Sequence, residues 1–334
     1  MNSSELTEQP TPPRRFGWPF FRRLLTIAFF VLVAVLMVML ARRLDWDEVV
    51  SSLRAYDATT LSIALGVTTI SYLLYSTFDL LGRLYTGHHL PTRQILPVTF
   101  VCYAFNLNLS AWVGGVAFRY RLYSRLGLSK ATITKVLSVS VLTNWMGYLC
   151  LAGVIFVSGL LKLPSSWEIG SSALRLIGVG LILATLGYFL LCAFSKRRSW
   201  SLRGHEIMLP SLRLALLQVL LGASNWALMA AVVFVLMPDG INYPTVLGVL
   251  LLASVAGVIT HIPAGLGVLE AVFIALLAHE VSKGSVLAAL IGYRVIYFLI
   301  PLLVATLVYL LLEARAKKLR QGNDQRQGAV EQAG

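Results

Sequence analysis

The stretch His261-Ile262-Pro263-Ala264-Gly265-Leu266-Gly267-Val268-Leu269-Glu270 interrupts an apolar run that extends from 244 to 281. A proline and two glycines within five residues stop a helix. A carboxylate follows three residues later, where hydrocarbon would otherwise surround it. Broken backbone at membrane depth survives only when buried in protein or lining a cavity. The limb after the break, 266–281, makes about 24 Å of helix against a hydrocarbon core of about 30 Å. The run therefore reads as two short crossings or as a hairpin entering from outside, and the parity of the spans admits both.

Outward from this break the chain is apolar almost throughout. Of 334 residues, 57% are hydrophobic and 13% charged, and the mean hydropathy is +0.76. A soluble domain of this size could not cover that much apolar surface. The composition excludes a cytosolic enzyme, a disordered chain and a secreted disulfide scaffold. Full spans are expected at 24–41, 59–81, 136–160, 173–194, 214–237 and 285–312. The first is an uncleaved span and not a signal peptide, because Arg42-Arg43 follows it where small residues would be needed. A second irregular stretch, 95–113, carries Pro97, Asn106 and Asn108 and runs into Gly114-Gly115. The fold class is thus all-α: a polytopic membrane bundle of six full spans plus two broken or re-entrant helix pairs. A basic cytoplasmic segment, 1–23, precedes the transmembrane domain, 24–312, and a disordered cytoplasmic tail, 313–334, follows it.

Net charge is +13, which in a soluble protein would point to nucleic acid. Its distribution points to a membrane instead. With the N-terminus placed inside, the inward segments hold 21 of the Lys and Arg residues and the outward segments 5. Such a bias puts both termini in the cytoplasm. It also requires 95–113 to turn back, with 114–127 as the returning limb, since a full crossing would send two five-charge loops outward.

The two irregular stretches resemble each other. Gly114-Gly115-x3-Arg119 parallels Gly265-x-Gly267-x2-Glu270, and each short limb leads to Ser-Lys (129–130 and 282–283) and a long span. Opposite orientation of the two copies is the pattern of an inverted repeat whose hairpins meet near the midplane. The tips are Gly114, Gly115, Pro263, Gly265 and Gly267. Charges beside them are the informative residues, because each is costly in hydrocarbon. Glu270 and Arg294 are expected to pair across helices, as a headgroup or proton site or as a purely structural bridge. Arg119 and Arg121 lie on an amphipathic basic limb with Arg125, and the guanidinium fork suits phosphate. Asp79 and Arg83 read as an ordinary i,i+4 pair. Asn106, Asn108, Asn144 and Asn225 would hold freed backbone, glue helices or line a pathway.

No catalytic or metal residue is expected. The three cysteines, Cys102, Cys150 and Cys192, read as buried hydrophobes, and His88-His89 has no further ligand at a metal spacing. Serine-elbow, HExxH and P-loop motifs are missing, so neither an enzyme nor an ATP-driven pump is expected.

The run 261–271 resembles the Pro-Gly-Gly-(Leu/Ile)-Gly-x-x-Glu motif of the transmembrane (flippase) region of lysylphosphatidylglycerol synthase, with Ala264 in place of the first glycine. The run 102–115 with Phe118-Arg119-Tyr120-Arg121-Leu122-Tyr123 is similar to an enterobacterial inner-membrane subgroup of that family, encoded beside a cardiolipin synthase. The likeness spans roughly 15–320. It implies an inner-membrane protein that moves or handles a phospholipid, anionic if the neighbouring gene is a guide, with no cofactor and with association with a cardiolipin synthase. The synthase's soluble domain has no counterpart here, so synthesis is not implied. Arg119, Gly114, Gly115, Pro263, Gly265, Gly267, Glu270 and Arg294 would carry over as a lipid path. A secondary transporter of a small anion, or a non-transporting scaffold for a lipid-synthesising enzyme, stand as the other readings.

Overall fold

The computed structural model describes residues 46–109, 115–161, 170–195, 199–202, 205–260, 262 and 265–314. The span expected at 24–41, the tip residues Gly114 and Pro263, His261, the segment 1–23 and the tail from 315 lie outside them.

Among the described residues the chain is a helical bundle. Helix α1 (Trp46–Arg54) leads to α2 (Ala58–Ser76) and α3 (Phe78–Thr86). Asp57 caps α2 by accepting the Thr60 N–H at 2.8 Å. The span expected at 59–81 is longer than that and kinked. At Thr77 both the backbone N–H and the hydroxyl return to the Leu74 carbonyl, which tightens one turn. Helices α4 (Thr92–Asn108) and α5 (Phe118–Arg125) form the first hairpin, and Phe105 stacks on Phe118 with centroids 4.4 Å apart. The 95–113 stretch does turn back, as the charge distribution required. Then come α6 (Lys130–Ser158), α7 (Ser171–Phe194), α8 (Leu212–Leu236), α9 (Tyr243–Thr260) and α10 (Val268–Leu277). Helix α11 (Lys283–Tyr293) continues through a π-helical segment (Arg294–Leu299) into α12 (300–314). One small departure from an all-helical chain is an antiparallel two-stranded ribbon, β1 (Ser199–Leu202) with β2 (His205–Met208), between α7 and α8.

Among the described residues six helical stretches are long and apolar enough to cross a membrane: Ala58–Thr86, Lys130–Ser158, Ser171–Phe194, Leu212–Leu236, Tyr243–Thr260 and Lys283–Ala314. Five match expected spans. The sixth, α9, is the first limb of the irregular 244–281 run. The second limb, α10, has ten residues, about 15 Å of helix, so it cannot cross alone.

Contacts fix which helix ends lie together. Arg125 and Glu313 meet at one end, where Arg83 also reaches the Leu90 carbonyl at 3.2 Å; this is the basic end. At the opposite end the Tyr56 hydroxyl donates to the Leu236 carbonyl at 2.6 Å. The first hairpin rises from the basic end and the second from the opposite one. Outward-facing leucines, valines and isoleucines on α7, α8 and α12 are exposed in numbers that only lipid can cover.

Helices α6 and α8 cross at Gly147 and Gly222. A Cβ on Gly147 would lie 2.2 Å from backbone atoms of Gly222 and Ala223, and one on Gly222 would lie 2.2 Å from the Thr143 carbonyl oxygen. Small residues permit this approach, which is how membrane helices gain packing without a hydrophobic drive. Gly147→Ala should therefore lower the unfolding temperature in detergent markedly, with a cost of at least the ~1–3 kcal/mol typical of overpacking. Gly180→Ala is the matched control. Nothing lies within 4 Å of that site, and it should be neutral or slightly stabilising.

Candidate functional site: two charged hairpin tips

The second hairpin turns on glycines whose backbone other residues rarely adopt. Gly265 has φ +57° and Gly267 φ +79°, the left-handed region where a Cβ is strained. Helix α10 begins immediately afterwards, and Glu270 sits in its first turn. There Glu270 Oε2 accepts the Gly267 N–H at 2.9 Å, satisfying one of the orphan donors of the helix start. The same carboxylate takes a fork from Arg294: Nε to Oε1 at 2.6 Å and Nη2 to Oε2 at 3.1 Å. The pairing expected across helices is present. Arg294 Nη2 also donates to the Gly265 carbonyl at 3.2 Å, and its guanidinium lies over the Phe298 ring at 5.7 Å. The pair is not sealed, with side-chain exposures of 15% and 11%.

At the first hairpin the charges are reversed and closed in. Arg119, on the returning limb, makes a fork to Asp79 on α3, with Nε to Oδ2 and Nη2 to Oδ1 both at 3.1 Å. Its Nη2 also reaches Ser140 Oγ at 2.9 Å, and Nη1 reaches the Gly115 carbonyl at 3.4 Å. The Tyr123 hydroxyl donates to Asp79 Oδ2 at 2.8 Å. Side-chain exposures are 3% and 0%. This corrects the expected Asp79–Arg83 pair. Arg83 sits in the last turn of α3 and turns to the 87–92 loop, donating to the Leu90 carbonyl and to Thr92 Oγ1. Asp79 points into the protein, where a charge needs a buried, fully hydrogen-bonded counter-ion. Arg119 supplies it.

Each hairpin therefore has an arginine that holds the carbonyl of a tip glycine, Gly115 or Gly265, and a carboxylate that holds that arginine. The parallel extends to the long helices that follow. Ser129 and Ser282 each cap one, accepting the Thr132 and Ser285 N–H groups at 3.2 Å. The two clusters share these groups but not their order in the chain: at the first hairpin the arginine is on the returning limb and the carboxylate precedes it, and at the second the carboxylate is on the limb and the arginine follows.

The end of α4 and Gly265 of the second hairpin both contact the middle third of α11–α12. Asn108, at the end of α4, donates to its own Ala104 carbonyl at 2.8 Å and to the Phe298 carbonyl at 3.2 Å. Arg294, which touches the second tip, lies four residues earlier, about 6 Å along a helix axis. Pro301 explains the irregular backbone here. It has no N–H to give the carbonyl four residues before it, that of Tyr297. The chain widens into a π turn, and the Tyr72 hydroxyl takes the freed Tyr297 carbonyl at 2.9 Å. Asn108 thus joins α4 to the π segment through a backbone carbonyl, the helix-gluing role open to it from sequence.

Tyr297, between Arg294 and Phe298 in sequence, belongs to a ring of four polar groups. Asn225 Nδ2 donates to the Tyr103 hydroxyl (3.3 Å), which lies 3.0 Å from the Tyr297 hydroxyl. Tyr297 lies 2.7 Å from Ser71 Oγ, which donates to Asn225 Oδ1 at 3.0 Å. Both bonds to Asn225 have fixed donors, so the two tyrosine hydroxyls point the same way round the ring. Such a closed chain polarises its members cooperatively, and it ties α2, α4, α8 and the π segment together. Tyr103 and Tyr297 carry no sequence signal beyond an aromatic in an apolar run. Pro301 is the residue from which this region could have been found.

Arg121 lies apart from these pairs, at the basic end. It is 53% exposed, and its Nη2 is 3.1 Å from Glu313 Oε1. Arg125 pairs with the other oxygen of the same carboxylate. Arg119 and Arg121, expected together at a headgroup, thus face different surroundings, as neighbours on a helix whose side chains diverge.

The family model of the lysylphosphatidylglycerol synthase TM region matches residues 24–305. Inner membrane protein YbhN of Escherichia coli (strain K12) is 51% identical over 308 residues, which is 92% of this chain and 97% of that protein. Uncharacterized protein slr0712 of Synechocystis sp. is 32% identical over 286 residues, 84% of this chain and 88% of its own length. With the two charged hairpins and the six helices of spanning length among the described residues, these matches identify the chain as a multi-pass integral membrane protein that belongs to the lysylphosphatidylglycerol synthase transmembrane-region family.

Proposed function

We propose that this protein is a flippase of the bacterial inner membrane, carrying a phospholipid headgroup past the midplane while the acyl chains stay in the bilayer. One observation carries the reading: the Glu270–Arg294 pair lies at a hairpin tip, midway along the last long helix, and is incompletely buried. Val258, Ile259, Leu266, Val295 and Leu299 around it are exposed, so lipid surrounds the residues that flank the charges. A phosphodiester has one negative charge and two free oxygens, as a carboxylate has, and it can take the place of Glu270 on the Arg294 fork. Glu270 keeps a partner in the Gly267 N–H, at a helix N-terminus that favours its charge. In this reading Glu270 is the counter-ion that keeps Arg294 neutralised between lipids. The Arg119–Asp79 pair fixes the first hairpin as the opposing wall, and Arg121 meets headgroups at the basic end, which faces the cytoplasm.

A transporter of a small soluble anion would instead use an aqueous vestibule. A cleft of about 420 Å³ does open at the opposite end, but His279 and Glu280 line it along with Asn242 and Thr245, and the Glu280 carboxylate repels anions. The test is scrambling of a fluorescent phospholipid in proteoliposomes, read as label in the inner leaflet that becomes open to a membrane-impermeant quencher. Reconstituted protein should expose nearly all of it. Protection equal to that of protein-free vesicles would overturn the proposal.

A further inference from the structure

At the basic end, Glu313 on α12 bridges two arginines of the first hairpin's returning limb. Its Oε1 is 3.1 Å from Arg121 Nη2, and its Oε2 pairs with Arg125 Nη1. The arginines are four residues apart on α5, so their side chains share one face. Tyr309, one turn before Glu313, lies under the Arg121 guanidinium at 5.8 Å and edge-on to Phe118 at 5.3 Å. An aromatic shelf beneath two arginines at the end of a membrane helix suits the headgroup zone, where the apolar part faces acyl chains and the fork faces phosphate. One carboxylate between two guanidinium groups leaves the cluster with a net single positive charge.

We propose that Arg121 and Arg125 form a binding site for the phosphate of an anionic phospholipid, and that Glu313 occupies this site in its absence. A phosphodiester presents the same charge and the same two oxygens to the same two donors, so exchange costs little in geometry. All three side chains are open to solvent, with Glu313 32% and Arg125 28% exposed. Exposed ion pairs of this kind are weak, as a displaceable plug must be. The sequence directly after the plug, Arg315-Ala316-Lys317-Lys318-Leu319-Arg320, adds a basic run of the type that gathers anionic lipid, which favours a lipid over free phosphate. When lipid takes the arginines, α5 loses its ionic tie to α12, so the anionic lipid of that leaflet sets how firmly the first hairpin is held against the last helix. This rests on the proposed lipid-handling role but concerns a different set of residues from the midplane pair.

The experiment measures equilibrium binding of short-chain phosphatidylglycerol to the full-length protein in detergent, which needs no transport. Glu313→Gln removes the competing charge and should tighten binding about 5- to 10-fold, since each tenfold is only 1.4 kcal/mol. The double variant Arg121→Ala/Arg125→Ala should bind it no better than short-chain phosphatidylcholine. Both sites are exposed, so the variants should fold, and matched melting curves check this. An affinity for Glu313→Gln within twofold of wild type, or an unaffected double variant, overturns the proposal. Equal competition by inorganic phosphate at matched phosphorus concentration overturns the assignment to lipid. A protein that binds as stated yet fails to scramble lipid would sink the flippase reading alone.

Discussion

Arg294→Ala and Glu270→Ala should each abolish leaflet exchange in proteoliposomes, by at least about tenfold in rate if the fork contributes the ~1.5–3 kcal/mol of a charge-assisted hydrogen bond. The two losses have different causes, and binding separates them. Arg294→Ala removes the phosphate ligand, so headgroup affinity falls with the rate. Glu270→Ala leaves the arginine without its resident counter-ion, so a lipid phosphate that reaches it is held more tightly and released more slowly. Glu270→Gln sharpens the distinction. Its amide oxygen can still accept the Gly267 N–H, which keeps the start of α10 capped, but it no longer neutralises Arg294. Affinity should rise while the rate falls. Arg294→Lys keeps the charge and loses the fork, and should fall between wild type and alanine. Wild-type rates from both alanine variants would reject the midplane pair as the path. The pair is partly exposed, so its loss should cost less stability than a sealed pair, and a melting curve for each variant keeps misfolding from counting as lost transport.

What could be read from the residues alone divides along a physical line. In the sequence Glu270 is the only Asp, Glu, Lys or Arg of the run 244–278 and Arg294 the only one of 285–312, so their pairing followed from the expense of leaving either alone in hydrocarbon. The turning back of 95–113 followed from counting lysines and arginines, because charge bias constrains topology globally. Asp79 was misassigned for the opposite reason. It had an arginine at the right helical spacing, and nothing local showed that it faces inward while Arg83 faces a loop. Its true partner lies 40 residues on, brought there by a hairpin whose packing is a tertiary matter. The role of α9 was open because parity admits both solutions for 244–281. The answer came from length, with 18 residues before the break and ten after it. The kink at Thr77 left no proline or glycine as a mark. Pro301 did mark the π segment, but the tyrosine that repairs the lost hydrogen bond comes from another helix, and no periodicity within one helix can reveal it. The β1–β2 ribbon falls in a segment whose charge spoke for topology alone, although the dipeptide Arg203-Gly204 in its sequence is of a type that hairpin turns favour.

The sealed pair at the first hairpin gives the largest expected loss of stability. Asp79→Ala leaves the Arg119 guanidinium buried without a counter-charge, and removing one partner of such a pair costs about 3–5 kcal/mol. Ser140 and the Gly115 carbonyl remain as neutral acceptors and cannot balance the charge. The double variant Asp79→Leu/Arg119→Met removes both charges at similar volume and should regain most of that stability, because an apolar pair has no desolvation penalty to recover. Unfolding temperatures in detergent test the first step, and a double variant as unstable as Asp79→Ala would show that Arg119 is needed for more than its charge balance. The same protein then decides the hairpin's part in transport. If the first hairpin is a fixed wall, a refolded double variant should scramble lipid at close to the wild-type rate, since its apolar side chains still fill the space between α3, α5 and α6. If the double variant is stable but inactive, the Arg119–Asp79 pair must open during the cycle. The closed geometry, with Arg119 held by an aspartate, a serine and a glycine carbonyl at once, is then one end state of a moving limb. The capture of the Gly115 and Gly265 carbonyls by Arg119 and Arg294 is what makes that alternative concrete: a charged pair clasps each hairpin, and the two pairs differ in burial. The open one, at Glu270, is the one a headgroup can reach without first breaking a sealed contact, which is why the wall-and-path assignment places transport there.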